Sequence, residues 1–286
     1  MVDETMHLRH QQAMLTILQE IDRVCTELQI PYVLFAGSLL GAVRHQGFIP
    51  WDDDLDVLMF REDYTRFLQE APAYLNHDLF YLQPEFGAHW PMFFSKMRLN
   101  GTVCIEKYKS KDNQAHCGIY VDIFPCDAAA DTVLGRWTQF LASKVVIAKA
   151  LDDRGYQTNS PFKRLFMLCC RALPMKPFLR MCQSSERNSR FVHTFLAAGK
   201  RYQKNIFRRY DLLERTQLMF AGQKYPVPKA YDVVLRRLYG DYRRIPTEKQ
   251  RTAKVHAVRI ELSETSQTAK ELCNAETYSK RSRCIR

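Results

Sequence analysis

No uncharged apolar run in this 286-residue chain approaches the ~20 residues needed to span a bilayer. The best stretch, Trp137 to Leu151, is broken by Lys144 and Lys149. The first residues, MVDETMHLRHQQAM, lack the apolar centre of a signal peptide, so the expected location is cytoplasmic or peripheral on the cytoplasmic face of a membrane. Nine scattered cysteines form no Cys-x-x-Cys pair, which leaves a structural zinc site without support and fits a reducing compartment. There is no internal repeat, no low-complexity stretch and no recognisable nucleic-acid motif. With 46% hydrophobic and 26% charged residues, disordered, collagen-like and disulfide-scaffold classes are excluded.

Charge, by contrast, is abundant and uneven. The net charge is +11, and Arg154 to Arg215 alone carries fourteen Lys/Arg against three acids. Such a patch suits nucleic acid, anionic membrane or a phosphorylated substrate, and charge alone does not choose.

Helical spacing of Ile17, Ile21, Val24 and Leu28 predicts an amphipathic first helix ending before Pro31. Tyr32–Ala36 reads as a buried strand, Gly37-Ser38 as a turn and Leu39–His45 as a helix start. Further strands are expected at 55–60, 79–82, 92–99, 102–107 and 118–124, and a helix at 62–76 that Pro72 kinks or ends. From about Thr132 to Met219 the pattern is mainly helical and basic. Tyr225-Pro-Val-Pro reads as a loop, Ala230–Tyr239 as a short helix, and the chain beyond Ala257 as a polar tail. The expected fold is α+β, with four parts: a packing helix (1–29), a catalytic core (30–130), a basic helical region (131–220) and a closing C-terminal segment (221–286).

The chemistry concentrates in GSLLGAVRHQGFIPWDDDLDV, residues 37–57, where four acids fall within five positions. Strand alternation points Asp54 and Asp56 one way and Leu55 and Val57 the other. Two adjacent carboxylates repel unless a hard cation such as Mg²⁺ neutralises them; Mn²⁺ is the alternative. Upstream, Gly37 and Ser38 open a helix whose N-terminus suits phosphate. A strand, Gly-Ser, a helix start and then Asp-x-Asp is the layout of a nucleotidyltransferase-type site. Asp122, an acid in the apolar run GIYVDIF, is the expected third metal ligand. Lys96 and Arg98 share a strand face and are expected to meet phosphate, or else to form a solvated edge. Arg44 and His45 lie between the Gly-Ser turn and the acids; His45 is a possible proton shuttle.

The stretch GSLLGAVRHQGFIPWDDDLDVLMFREDY resembles the signature of the LicD family, which includes the fukutin-related transferases. KMRLNGT (96–102), GIYVDIFPCD (118–127), YPVP (225–228) and YGDY (239–242) resemble later family segments in the same order, so the resemblance runs from about Ile30 to His256. It implies a nucleotidyltransferase-like fold with a mixed sheet flanked by helices, and transfer of a substituted phosphate. Bacterial members are similar to phosphorylcholine transferases that use CDP-choline to decorate lipopolysaccharide or teichoic acid; eukaryotic relatives use CDP-ribitol. In that picture Asp54, Asp56 and Asp122 bind Mg²⁺, and Asp52 is a further catalytic candidate. No counterpart of the fukutin-related zinc insertion is visible, which favours the compact bacterial branch. The implied partners are a CDP-linked donor and a glycan or glycolipid acceptor, with an anionic membrane surface for the basic region and no nucleic acid. Trp51, Tyr120, Phe48 and Trp90 are candidate walls for a choline cage, with core packing as the competing role. A non-catalytic protein that keeps the fold is the contrasting reading, and the intact Asp-x-Asp speaks against it.

Overall fold

The computed structural model describes residues 4–106, 115–184, 186–197, 201–247 and 257–262. Its frame is a mixed sheet in the order β1 (Val33–Leu34), β2 (Asp56–Phe60), β6 (Tyr120–Ala129), β4 (Ser95–Leu99) and β3 (Phe80–Gln83). β2 and β6 run parallel and the remaining pairs are antiparallel. The C-terminal end of β6 pairs antiparallel with β7 (Phe191–His193), which pairs in turn with β8 (Ile206–Arg208). The chain is therefore an α+β protein, as its pattern predicts.

The first helix, α1 (Glu4–Glu27), buries Ile17, Ile21 and Val24 completely, and it packs against β4 and β6. The helix expected at 62–76 is α3 (Arg61–Glu70), followed by a 3-10 turn over Ala71–Ala73; Pro72 has no N–H to extend the α-helical ladder. Arg61 ties α3 to β6. Its Nε and Nη2 donate to Asp127 Oδ1 and Oδ2 at 2.7 and 3.0 Å, and its Nη1 donates to Glu85 Oε1 at 2.7 Å.

One guanidinium thus serves two carboxylates, the buried Asp127 and the part-buried Glu85. Burial pushes Glu85 up to about 7; Arg61 opposes the rise and Asp127 reinforces it. Between pH 4.5 and 7 native Glu85 holds a proton that the unfolded chain has released. Its contribution to stability therefore falls as pH rises through that window and is constant above it. Glu85→Gln is expected to lack this slope and to be more stable than wild type by about 2 kcal/mol above pH 7, measured as urea midpoints across pH.

Three expectations need correction. The helical pattern beyond Thr132 holds for α4 (Val133–Asp153), α5 (Pro161–Arg171) and α6 (Met175–Cys182). It then fails: the chain returns to the sheet as β7 and β8, and among the described residues a 3-10 turn over Gln203–Asn205 and the short α7 (Arg209–Leu213) precede β9 (Arg215–Phe220). Strands of three residues are too short to show a period, and their pairing is non-local. Tyr225-Pro-Val-Pro is not a loop but part of β10 (Gln223–Pro228), which pairs with β9. In a two-stranded ribbon a proline nitrogen can face away from the partner, so Pro226 and Pro228 are tolerated while Tyr225 and Val227 are fully buried. Residues 257–262 are not tail but β11 (Ala257–Leu262), paired with β5 (Thr102–Glu106). The rest of the expected tail, with its end at 279–286, lies outside the described residues.

Candidate active site

The helix α2 (Ala36–His45) begins three residues earlier than the periodicity suggests, so Gly37 and Ser38 stand in its first turn. Ala36 takes a left-handed φ of 45° to make the corner from β1. That corner clamps Asp56 by both backbone groups. Ser38 Oγ accepts the Asp56 N–H at 2.8 Å, and the Phe35 N–H donates to the Asp56 carbonyl at 3.0 Å. Ser38 therefore acts first as a positioning residue.

Asp52 and Asp54 lie in the loop before β2 and Asp56 is the first residue of that strand. All three line one cleft of about 580 Å³, while Leu55 and Val57 are fully buried on the other side, as alternation requires. Across the sheet Asp56 stands in register with Asp122 on β6, and Asp122 in register with Lys96 on β4. Burial raises Asp56 well above the usual carboxylate range; Asp54, Asp122 and Asp52 add to the rise and Lys96 opposes it. Burial likewise raises Asp122 to about 6, against the pull of Lys96.

The far wall of the cleft comes from the end of α8 (Tyr231–Tyr239) and the segment after it: Tyr239, Asp241, Tyr242 and Arg244. Family resemblance picks out YGDY, but nothing in its local pattern places it opposite residues nearly two hundred positions earlier. Arg44 bridges the walls, donating through Nη1 to the Tyr242 carbonyl at 3.1 Å and standing 5.9 Å from the centroid of the Trp51 ring. Its Nε donates to His45 Nε2 at 2.9 Å, so His45 serves as a neutral acceptor. Burial and Arg44 both lower the His45 pKa, a poor setting for a proton shuttle.

Lys96 and Arg98 are not a solvated edge, because β4 is an interior strand. Neither lines the cleft. Arg98 donates to Gln83 Oε1 at 2.6 Å and to the Gly118 carbonyl at 2.8 Å. Lys96, only 1% exposed, lies 3.1 Å from Asp122 Oδ1 and 3.4 Å from Glu106 Oε1. Its ammonium sits 3.0 Å from the Tyr120 ring centroid and 4.9 Å from that of Trp90. Two of the four expected choline-cage walls are therefore taken by the chain's own cation. A third, Phe48, packs on Phe220 at 4.8 Å, and Trp51 alone of the four lines the cleft. The sequence reasoning missed Glu106. Burial alone would raise it, but Lys96 and Arg154 hold it down at about 2. Its only local signal is an acid at the end of a predicted strand.

With this geometry in view, comparison with known proteins is decisive at the domain level. Residues 29–150 match the family model for LicD/FKTN/FKRP, nucleotidyltransferase domain. The chain carries a LicD domain. A 62-residue stretch is 52% identical to the lipopolysaccharide cholinephosphotransferase LicD of Haemophilus influenzae, covering 21% of this chain and 23% of that protein. Uncharacterised proteins of Rickettsia typhi and Rickettsia prowazekii are 43% and 41% identical over 58 residues. These matches span about a fifth of each relative's length.

The matched LicD region supplies the carboxylate wall, and YGDY lies outside it. Among the described residues no three His, Cys, Asp or Glu side chains form a preassembled metal cage. Lys96 already pairs with Asp122. An all-oxygen wall with two carboxylates from Asp54 and Asp56 still suits Mg²⁺, which is commonly held by one or two carboxylates plus substrate phosphates. The room for such a group depends on Gly37. A Cβ there would stand 2.7 Å from Asp52 Oδ2 and 3.7 Å from Asp54 Oδ1. Gly37→Ala is expected to keep the fold and weaken Mg²⁺-dependent binding of a CDP-linked donor by about tenfold, read by calorimetric titration.

Proposed function

We propose that this protein is a LicD-type, Mg²⁺-dependent phosphotransferase that moves phosphorylcholine from CDP-choline to a sugar hydroxyl of a cell-surface glycan. The observation that carries the reading is the cleft itself: Asp52, Asp54 and Asp56 line one side, and Arg44, Arg244, Asp241 and three aromatic side chains are among the residues lining the rest. A donor with a diphosphate, a flat base and a cationic headgroup matches that mixture of charge and ring.

In this reading Arg44 and Arg244 bind the diphosphate, and the helix start at Gly37 adds backbone donors and a favourable dipole. Asp54 and Asp56 hold Mg²⁺, which when bound neutralises charge on the diphosphate and on the departing phosphate. Trp51 offers a ring face to trimethylammonium. An acceptor hydroxyl attacks the phosphorus bearing choline; the new O–P bond forms as the bond to the CMP oxygen breaks, and CMP leaves with the electron pair. Asp52 or Asp54 takes the hydroxyl proton. Ser38 holds Asp56 in place through its backbone, and the Lys96–Asp122 pair supports it from the neighbouring strands.

Calorimetric titration with CDP-choline, CDP-ribitol and CDP-glycerol, with and without Mg²⁺, tests the donor. Mg²⁺-dependent preference for CDP-choline is the expected result. Preference for another donor keeps the reaction class and replaces the transferred group, whereas no binding of any of the three overturns the reading.

A further inference from the structure

Two amphipathic helices of similar length are treated in opposite ways. α8 turns Val234, Leu235 and Leu238 into the core. α5 does the reverse. Phe162, Leu165, Phe166 and Cys169 recur at helical spacing and form one stripe, yet Phe162 is 84% exposed, Leu165 60% and Phe166 45%. Only Cys170, at the margin of that stripe, is buried. The helix is fastened to α4 from its end instead: Lys149 Nζ donates to the Cys170 and Arg171 carbonyls, and Arg171 donates twice to Asp152.

Bases outnumber acids around the stripe, where Asp152 at the end of α4 pairs with Arg171. Between Asp153 and Glu186 the sequence has six Lys/Arg and no acid. Lys163 borders the stripe on α5, and Arg164 lies on the opposite, polar face of the helix. On α6, Phe178 and Leu179 pack inward, while Lys176 and Arg180, four residues apart, are exposed on one face. An exposed apolar stripe on a helix whose charged residues are all basic matches an interfacial helix on anionic lipid, with rings among the acyl chains and bases among the headgroups. At 11 residues α5 is too short to span a bilayer, and no helix among the described residues is long and apolar enough to do so.

We propose that α5 and the exposed face of α6 dock the protein on the surface of an anionic lipid bilayer. The docking is independent of the phosphotransfer reading, because it is measured without donor or acceptor.

Co-sedimentation of the full chain with vesicles tests it, comparing phosphatidylcholine alone with phosphatidylcholine containing phosphatidylglycerol, at physiological and at high salt. The anionic vesicles are expected to bind about tenfold more tightly, with the preference lost at high salt. Phe162→Ser with Phe166→Ser should weaken binding to anionic vesicles by about tenfold or more. Lys163→Glu with Arg164→Glu, which leaves the stripe intact, should abolish the preference for anionic lipid. Both variants should keep the wild-type thermal midpoint and CDP-choline titration. The proposal is overturned if neither vesicle binds the wild type, if the folded variants bind as well as it does, or if the stripe proves to be a dimer contact that the serine variants dissolve in the absence of lipid.

Discussion

Asp56→Asn is expected to reduce Mg²⁺-dependent phosphotransfer by at least about a hundredfold while leaving the protein as stable as wild type, or more so. The two halves follow from one arrangement. Ser38 and Phe35 hold the Asp56 backbone, and an asparagine side chain leaves both hydrogen bonds in place. Asp56 is buried beside Asp54, Asp122 and Asp52, which raise its pKa together with burial. Its charge costs stability above the ordinary carboxylate pKa, so its removal relieves repulsion. In the proposed reading, what is lost is a carboxylate that shares a cation with Asp54 and the donor phosphates. Transfer rate and thermal midpoint, measured on the same preparations, separate the effects. A variant that keeps transfer would remove Asp56 from the mechanism; one that loses activity only by unfolding would assign it a structural role.

Lys96→Met is the second large effect, and it falls on stability. The ammonium is buried against Asp122, Glu106 and the Tyr120 ring. Burial lowers its pKa, and Asp122 and Glu106 oppose that change. Removing it leaves the part-buried Asp122 next to Asp56 without its ion pair, a change expected to cost about 3 kcal/mol, the low end for a buried pair. Arg154 still pairs with Glu106 at 2.6 Å, which limits the damage on that side. Adding Asp122→Asn to Lys96→Met should recover much of the loss, because the double variant no longer buries an uncompensated carboxylate there. The coupling energy from the double-mutant cycle, measured by denaturant unfolding, is the decisive quantity. A cycle that closes with no coupling would show that Lys96 contributes through Glu106 and the Tyr120 ring rather than through Asp122.

Both variants probe one row of side chains, Asp56, Asp122 and Lys96, side by side on β2, β6 and β4. The row links the two regions of the site. Asp56 opens into the cleft, whereas Lys96 reaches back into a closed network whose Trp90 ring lies within 6 Å of Lys96, Arg98 and Arg154. Electrostatic support for the carboxylates is therefore built into the interior of the sheet.

The sequence by itself determined what depends on local pattern. The period of α1, the alternation that sends Asp54 and Asp56 to one side, the Gly-Ser helix start and the LicD resemblance are all written in short stretches of chain. The tertiary structure decided what depends on distant partners. It placed YGDY across the cleft from the aspartates, buried Lys96 against Asp122, used Trp90 and Tyr120 on the chain's own cation, and paired β10 and β11 where a loop and a tail were expected. Side-chain period reports which face of an element is apolar; it carries no information about which remote strand or loop will meet that face. α5 shows the distinction most simply, since its apolar stripe can be read from sequence while its exposure is visible only in the fold.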